Sequence, residues 1–421
     1  MRSFVDFDYT PKEDDIVCLF KITPAKGKTL EEAANHVAAE SSIGTWTEVK
    51  TMNEEIWENL RPRIIKIDKK TKHVMISYPI ELFEMGNIPQ LLSSIAGNIF
   101  GMKVIDALRL EDIHIPKKYM RYFKGPKYGI KGVRKIFNIW DRPLLGTIVK
   151  PKVGLNQKDH AKVAYEAWVG GVDIVKDDEN LTSQSFNKFE KRVKETLKMK
   201  EKAEKETGQR KGYMANITAP YKEMIRRAKL LEDYGNEYLM VDVVTVGFSA
   251  LQELREEDFM LIMHAHRAMH AAITRNKNHG ISMLTLAKLY RLIGVDQLHI
   301  GTIVGKMEGG KREVQEIYEE IEESVCKGDG THWLSEEWFG IKPVFAVSSG
   351  GVYPRLVPKI ISYLGKDVII QAGGGIHGHP KGTRAGAKAM LQAVEATMQN
   401  ISLEEYAKKH KELKEALKHW K

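Results

Sequence analysis

LLGTIVKPKVGLNQKDHAKVAYEAWVGGVDIVKDDEN, residues 144–180, contains one complete strand–helix–strand unit. A short apolar run (144–150) leads through a polar loop into DHAKVAYEAWVGG. In that stretch the apolar residues recur at three and four positions until two glycines stop the helix. A second apolar run (172–178) follows, as the next strand of a parallel sheet would. Six more runs repeat the pattern: GYMANIT (212–218), YLMVDVV (238–244), LIMHAHR (261–267), QLHIGT (297–302), KPVFAVS (342–348) and VIIQAGG (368–374). Helical stretches such as ISMLTLAKLYRLIG lie between them. Eight strand–helix units predict a closed α/β structure, a (β/α)8 TIM barrel.

Upstream the pattern differs. Residues 14–25 (DDIVCLFKITPA) read as a strand, LEEAANHVAAES as a helix packed on a sheet, HVMISYPI as another strand and LLSSIAGNI as a second helical stretch. These describe a smaller N-terminal α+β domain of ferredoxin-like type. The basic, glycine-bearing connection FKGPKYGIKGVRK (123–135) ends it, so the expected domains are 1–128 and 129–421, the second being the barrel with terminal helices.

A chain of 421 residues is too long for one ordinary core, which agrees with two domains. No apolar run approaches the roughly 20 residues of a membrane span, and MRSFVDFDYTPKEDD has no signal-peptide pattern, so no membrane partner and a cytoplasmic location are expected. Two cysteines, Cys18 and Cys326, leave no room for a disulfide framework. The net charge of +9 suits an anionic partner of some kind. Lysine and glutamate are interspersed, as in KRVKETLKMKEKAEKETG, which reads as a solvated helix face and not as a nucleic-acid stripe.

In a barrel the chemistry belongs at the C-terminal strand ends. Lys150, Lys152, Lys176, Asp178, Glu179, His266, Arg267, His299, Ser349 and the glycines at 373–375 all fall there. Cations, carboxylates, imidazoles and backbone-exposing glycines together suit a polyanionic substrate and a hard metal. Asp178 and Glu179 offer Mg2+ two carboxylates, fewer oxygens than it prefers, and a protonated lysine cannot ligate. CO2 added to the neutral amine of Lys176 would supply a carbamate oxygen. Lys150 and Lys152, two apart, should project on one side. His266 and Arg267 close the fifth strand and His299 lies in the sixth, an arrangement suited to holding phosphate and moving protons. Read alone, KDDE is as readily a surface charge cluster, and a lone histidine is more often structural. His264, His270 and His279 are taken as structural.

Glycine-rich loops follow the sixth, seventh and eighth strands: GTIVGKMEGGK (301–311), SSGGVYP (348–354) and AGGGIHGHP (372–380). The first is one residue short of a Walker motif and has Met307 where Ser or Thr should stand. GGGIHG fits the dinucleotide pattern, but no further strand–helix unit follows to receive a nucleotide. A barrel phosphate site fits both loops better.

In order, GTIVKPKVGL, GGVDIVKDDEN, HRAMHAAITR, LHIGTIVGKMEGG, SSGG and QAGGGIHGHP resemble the ribulose-bisphosphate carboxylase (RuBisCO) large-subunit family. AAESSIGTWTEV and SSIAGNIFGMKVIDALRLEDIHIP extend the resemblance over nearly the whole chain, and the short chain ends are most like the archaeal form III type. The resemblance implies an enzyme that adds CO2 to the enediolate of ribulose-1,5-bisphosphate, with an oxygenase side reaction using O2. It also implies one Mg2+ per site and CO2 bound as a carbamate on Lys176. Lys176, Asp178 and Glu179 would be the metal ligands. Lys150, His266 and the carbamate would move protons, and Lys306 would stabilise the new carboxylate from a mobile loop. Lys152, Arg267, His299, Ser349, Gly350, Gly351, Gln371, Gly373 and Gly374 would face substrate. Glu40, Thr45, Trp46 and Asn98 would reach the site from a neighbouring subunit. A homodimer or ring of dimers without a small subunit, serving AMP and nucleoside ribose salvage, completes the expectation.

One position departs from the plant-type pattern: Ile148 stands where those chains carry threonine two residues before the first strand's lysine. It removes a hydroxyl from that site. The alternatives are a carboxylase-like sugar-phosphate enolase or isomerase, whose relatives usually lose several of these residues, and a non-catalytic barrel used as a binding module.

Overall fold

The structure is a computed structural model that describes residues 2–304 and 310–420. It contains two compact units. One comprises the chain through Gly125 together with Met269–Ile293 and Glu323–Ile341; the other comprises Pro126–Ala268, Gly294–Glu322 and the chain from Lys342 onward. The units therefore do not follow one another as two unbroken blocks.

The first unit holds β1 (Ile16–Pro24), β2 (Arg63–Asp68), β3 (His73–Tyr78) and β4 (Ile105–His114) in the order β4-β1-β3-β2, all antiparallel. With the helices Leu30–Glu40 and Ile88–Ile95 between strands, this is the ferredoxin-like arrangement. Thr29 caps the first helix reciprocally with Glu32, and Pro89 begins the second. A two-residue strand, Gly280–Ile281, pairs parallel with the outer edge of β4. Arg109 of β4 donates to the carbonyls of Thr274 (3.0 Å) and Asn276 (2.5 Å), and Lys288 lies 2.8 Å from the buried Asp112.

All eight expected barrel strands form: β5 (Leu144–Ile148), β6 (Ile174–Lys176), β7 (Gly212–Met214), β8 (Tyr238–Asp242), β9 (Ile262–His266), β10 (Gln297–Gly301), β11 (Phe345–Ser349) and β12 (Val368–Gln371). They make one parallel sheet in the order β7-β6-β5-β12-β11-β10-β9-β8. A parallel bridge between Asn216 and Met240 joins its two ends. Leu144, Ile174, Met214, Tyr238, Met240, Ile262, Phe345, Val347 and Ile369 pack inside with Ile130, Val133 and Phe137 of the helix Gly129–Phe137.

Strand side chains alternate between faces, so residues two and four beyond an inward core residue also point inward. From Ile174 this leads to Lys176, from Ile262 to His264 and His266, from Phe345 to Val347 and Ser349, and from Ile369 to Gln371. The apolar floor and the polar mouth are thus successive layers of the same strands. No helix among the described residues is long and apolar enough to cross a membrane.

Candidate active site

Lys176 ends β6 almost fully buried, at 1 % exposure. Its Nζ donates to the Asp177 carbonyl (2.8 Å), lies 3.3 Å from Met240 Sδ and is 3.7 Å from Glu179 Oε2. Burial pushes the ammonium below the ordinary lysine range, opposed by Glu179, Asp242, Asp178 and Asp177. The amine is thereby moved toward its neutral, nucleophilic form. Lys150 Nζ donates to Asp178 Oδ2 at 2.6 Å and Lys152 Nζ to Glu179 Oε1 at 3.4 Å. The two strand-one lysines do converge on the carboxylates, but not by strand alternation, because β5 stops at Ile148 and both lie in the following loop.

The turn carrying Asp178 and Glu179 is fastened from below. Asp177, fully buried, accepts from Arg192 Nε (3.0 Å), Tyr213 OH (2.8 Å) and the Asn216 backbone N–H (3.0 Å), and His160 Nε2 lies 3.1 Å away. Asn216 Nδ2 donates to the carbonyls of Asp178 (3.3 Å) and Glu179 (3.2 Å). Asp177 thus points away from the mouth while its two neighbours face it.

On the opposite side, His266 Nδ1 lies 3.0 Å from Asp242 Oδ1, and its Nε2 is 3.7 Å from Glu179 Oε2. The carboxylate accepts from Nδ1–H, which leaves Nε2 as the proton-accepting nitrogen. His299 Nδ1 is 2.7 Å from Ser349 Oγ, and its Nε2 is 2.9 Å from His264 Nε2. Burial holds His264 and His299 well below the ordinary imidazole range. Burial also lowers Arg267 to about 10, against the pull of Glu313. A Cβ at position 301 would sit 2.7 Å from the Arg267 guanidinium, so Gly301, at φ +93°, is required there.

Gln371 ends β12 buried against Gly146, where a Cβ would meet its Cγ at 2.9 Å. Gly350 and Gly351 take φ of +114° and +72°, opening backbone at the end of β11. Gly373 lies against Lys150, whose Cε would be 3.1 Å from an added Cβ, and Gly374 begins a single helical turn. Thr147 Oγ1 donates to the Ala372 carbonyl (2.7 Å), tying β5 to this loop.

The barrel therefore brings together every proposed barrel residue except Lys306, which lies outside the described residues. Glu40, Thr45, Trp46 and Asn98 belong to the other unit. There the helix ending at Glu40 packs on the turn that Asn98 opens, and Trp46 is 81 % exposed. His270 bonds Thr274 and His279 accepts from the Leu108 backbone, both structural roles, whereas His264 is part of the buried chain behind His299. Sequence reasoning passed over Asp177, Asp242, Asn216, His264, Gln297 and Tyr238. Counting back by two along β8, β9 and β10 from the strand-end residues reaches Tyr238, His264 and Gln297.

The donor set fits a hard divalent cation: two carboxylates beside a buried amine convertible to an oxygen anion. Among the described residues no group of three His, Cys, Asp or Glu side chains is arranged to hold a metal, so here the third protein oxygen would come from the lysine. A parallel barrel with this cluster at its C-terminal mouth defines an α/β-barrel enzyme. The chain belongs to the ribulose bisphosphate carboxylase large-chain family. The family's catalytic-domain model matches residues 129–420 and its N-terminal-domain model residues 3–119. The chain is 59% identical to the ribulose bisphosphate carboxylase of Methanocaldococcus jannaschii, over 99% of this chain and 100% of that one. It is similar to a dimeric archaeal Rubisco from Hyperthermus butylicus (TM-score 0.93, 49% identity, 99% and 98% of the two chains). The octameric enzyme from Pyrococcus horikoshii OT3 is also close (TM-score 0.92, 45% identity, 99% and 96%).

Proposed function

We propose that this chain adds CO2 to the enediolate of ribulose-1,5-bisphosphate and, with one water consumed as the C2–C3 bond breaks, releases two molecules of 3-phosphoglycerate. The observation that carries the reading is the buried Lys176 amine beside Asp178 and Glu179, with Lys150 and Lys152 paired to those carboxylates. Family membership supports it.

The Lys176 nitrogen attacks CO2, forming an N–C bond and losing a proton to solvent. The resulting carbamate, Asp178 and Glu179 would hold Mg2+. When bound, this ion supplies the positive charge against which the enediolate builds. Lys176, once carbamylated, would be the group that accepts the first proton from the sugar. His266, with Nδ1 fixed on Asp242, presents Nε2 for a second, and Lys150 returns a proton to a carbon of the cleaved product. Lys152 lies beside Glu179, where it balances charge and meets substrate. Arg267, His299 and Ser349 form one anion-binding corner, and the turns at Gly350–Gly351 and at Gln371, Gly373 and Gly374 offer backbone N–H groups at another. Lys306 brings its ammonium to the incoming carboxylate.

Glu40, Thr45, Trp46 and Asn98 of a second copy complete the site, so the working unit is a homodimer or a ring of dimers. O2 attacks the same enediolate in an oxygenase side reaction. By its archaeal resemblance the chain serves AMP and nucleoside ribose salvage. Incubation with ribulose-1,5-bisphosphate, Mg2+ and labelled CO2 tests the reading. Labelled 3-phosphoglycerate is expected after prior exposure to CO2 and Mg2+ together, and none from Lys176→Ala. Full activity in that variant overturns the carbamate, while enolisation without product favours the sugar-phosphate enolase alternative.

A further inference from the structure

Behind Ser349 runs a buried hydrogen-bond chain five side chains long. Gln297 Nε2 donates to Tyr238 OH (2.7 Å), and its Oε1 lies 2.9 Å from His264 Nδ1. His264 Nε2 is 2.9 Å from His299 Nε2, and His299 Nδ1 is 2.7 Å from Ser349 Oγ. Tyr238, Gln297 and His264 are fully buried and His299 is 4 % exposed, so water does not substitute for any link but the last. An amide oxygen only accepts, so His264 carries its hydrogen on Nδ1. Neutral His264 then offers a lone pair at Nε2, and His299 must donate from its own Nε2. Neutral His299 is left with a lone pair at Nδ1, which accepts the single hydroxyl hydrogen of Ser349. Every donor in the chain thus points inward, and the end facing the mouth presents only lone pairs.

An oxyanion needs donors, and that end has none free. If the Ser349 hydroxyl turns to the anion, the Nδ1 lone pair of His299 is stranded beside it unless a proton fills it. We propose that Gln297 fixes the direction of this chain, so that an oxyanion seating against His299 and Ser349 carries a proton in with it, onto His299 Nδ1. Gln297 is thereby a positioning residue: it touches no ligand and acts through His264. The groups around His299 make the proton unwelcome without the anion. His264 and His266 face it from β9 with rings 4.9 and 4.8 Å away. Arg267, just past β9, and Lys176 of β6 add positive charge, Ser349 of β11 and Gln297 of its own strand are neutral, and Glu313 acts on Arg267. The dianion supplies the compensating charge.

The inference rests on the reading that this mouth binds an anionic substrate. Sulfate is a suitable probe, because it does not itself titrate near neutral pH. Calorimetry of sulfate binding to the full-length assembled protein, in two buffers of different ionisation enthalpy, should show uptake of about one proton per site. In Gln297→Leu, His264 is free to move its hydrogen to Nε2, His299 then presents Nδ1–H, and sulfate should bind with the uptake lost. Gln297→Glu keeps an acceptor at His264 Nδ1 and should retain it. Nitrogen-15 NMR of the ligand-free wild type, which needs no variant to fold, should show His264 protonated at Nδ1 and His299 at Nε2. Sulfate binding without uptake, uptake unchanged in Gln297→Leu, or His299 protonated at Nδ1 in the free protein would each overturn the proposal while leaving the carboxylase assay untouched. Failure of both sulfate and ribulose-1,5-bisphosphate to bind would overturn the parent reading along with it.

Discussion

Replacing Asp177 by asparagine should destabilise the chain far more than its distance from substrate suggests. Asp177 and Arg192 both have side chains with 0% exposure and meet at 3.0 Å. Asparagine keeps an oxygen for Tyr213 but removes the counter-ion of a guanidinium that has no route to water. Arg192 would retain its bonds to the Asn187 and Thr182 carbonyls, which solvate it only in part. Breaking a buried pair from one side costs about 3–5 kcal/mol. Urea midpoints at one fixed protein concentration, followed by circular dichroism, measure this, the fixed concentration being needed because assembly stabilises the fold. Removing both charges in Asp177→Leu with Arg192→Met should cost less than the sum of the single changes, with a coupling of at least about 1 kcal/mol. A single-variant loss below about 1 kcal/mol, or strict additivity, would refute the idea that this pair is an interdependent clamp under the ligand turn.

Lys306→Ala should still exchange the substrate's C3 proton with solvent yet form almost no 3-phosphoglycerate; normal carboxylation would reject its assigned role. Inactive Asn98→Ala and Lys176→Ala chains, once mixed, should regain activity through hybrid dimers with one intact site, and no recovery despite demonstrated subunit exchange would count against a shared site. Burial, aided by His332, lowers His73 to about 4, below its ordinary imidazole value. The unfolded chain therefore binds this proton more readily, and stability should fall as pH drops from about 6.5 toward 4, by at most about 3 kcal/mol. The acid limb should flatten in His73→Phe; an unchanged limb would place the loss elsewhere.

The eight barrel strands were legible because parallel strands covered on both faces are nearly continuous apolar runs, and helices end at glycine as after Trp168. The strand-end residues were legible for the same reason: polar side chains stand out where an apolar run stops. What escaped notice lies inside the runs. Tyr238 and His264 sit within YLMVDVV and LIMHAHR, Gln297 opens QLHIGT, and all three look like ordinary members of buried strands until the inward face is counted. Asp177 was visible in KDDE but indistinguishable from its neighbours, since only three-dimensional placement against Arg192 and Tyr213 turns it from the mouth. The return of Met269–Ile293 and Glu323–Ile341 to the first unit had no local signal, because the helix in ISMLTLAKLYRLIG has the same periodicity wherever it packs.

That return has a consequence for how the protein is made. When the first 125 residues have left the ribosome, the outer edge of β4 is still open, for Gly280 and Ile281 have not been synthesised. Arg109 lacks the carbonyls of Thr274 and Asn276, and Asp112 lacks Lys288. The Arg109 guanidinium, with Glu111 of its own strand beside it, and the Asp112 carboxylate wait for these later partners beside an open strand edge until five barrel strands have emerged. The nascent N-terminal unit thus exposes an open strand edge, and a gene truncated after Gly125 should yield aggregated material, whereas one extended through Ile341 has every strand of that sheet encoded.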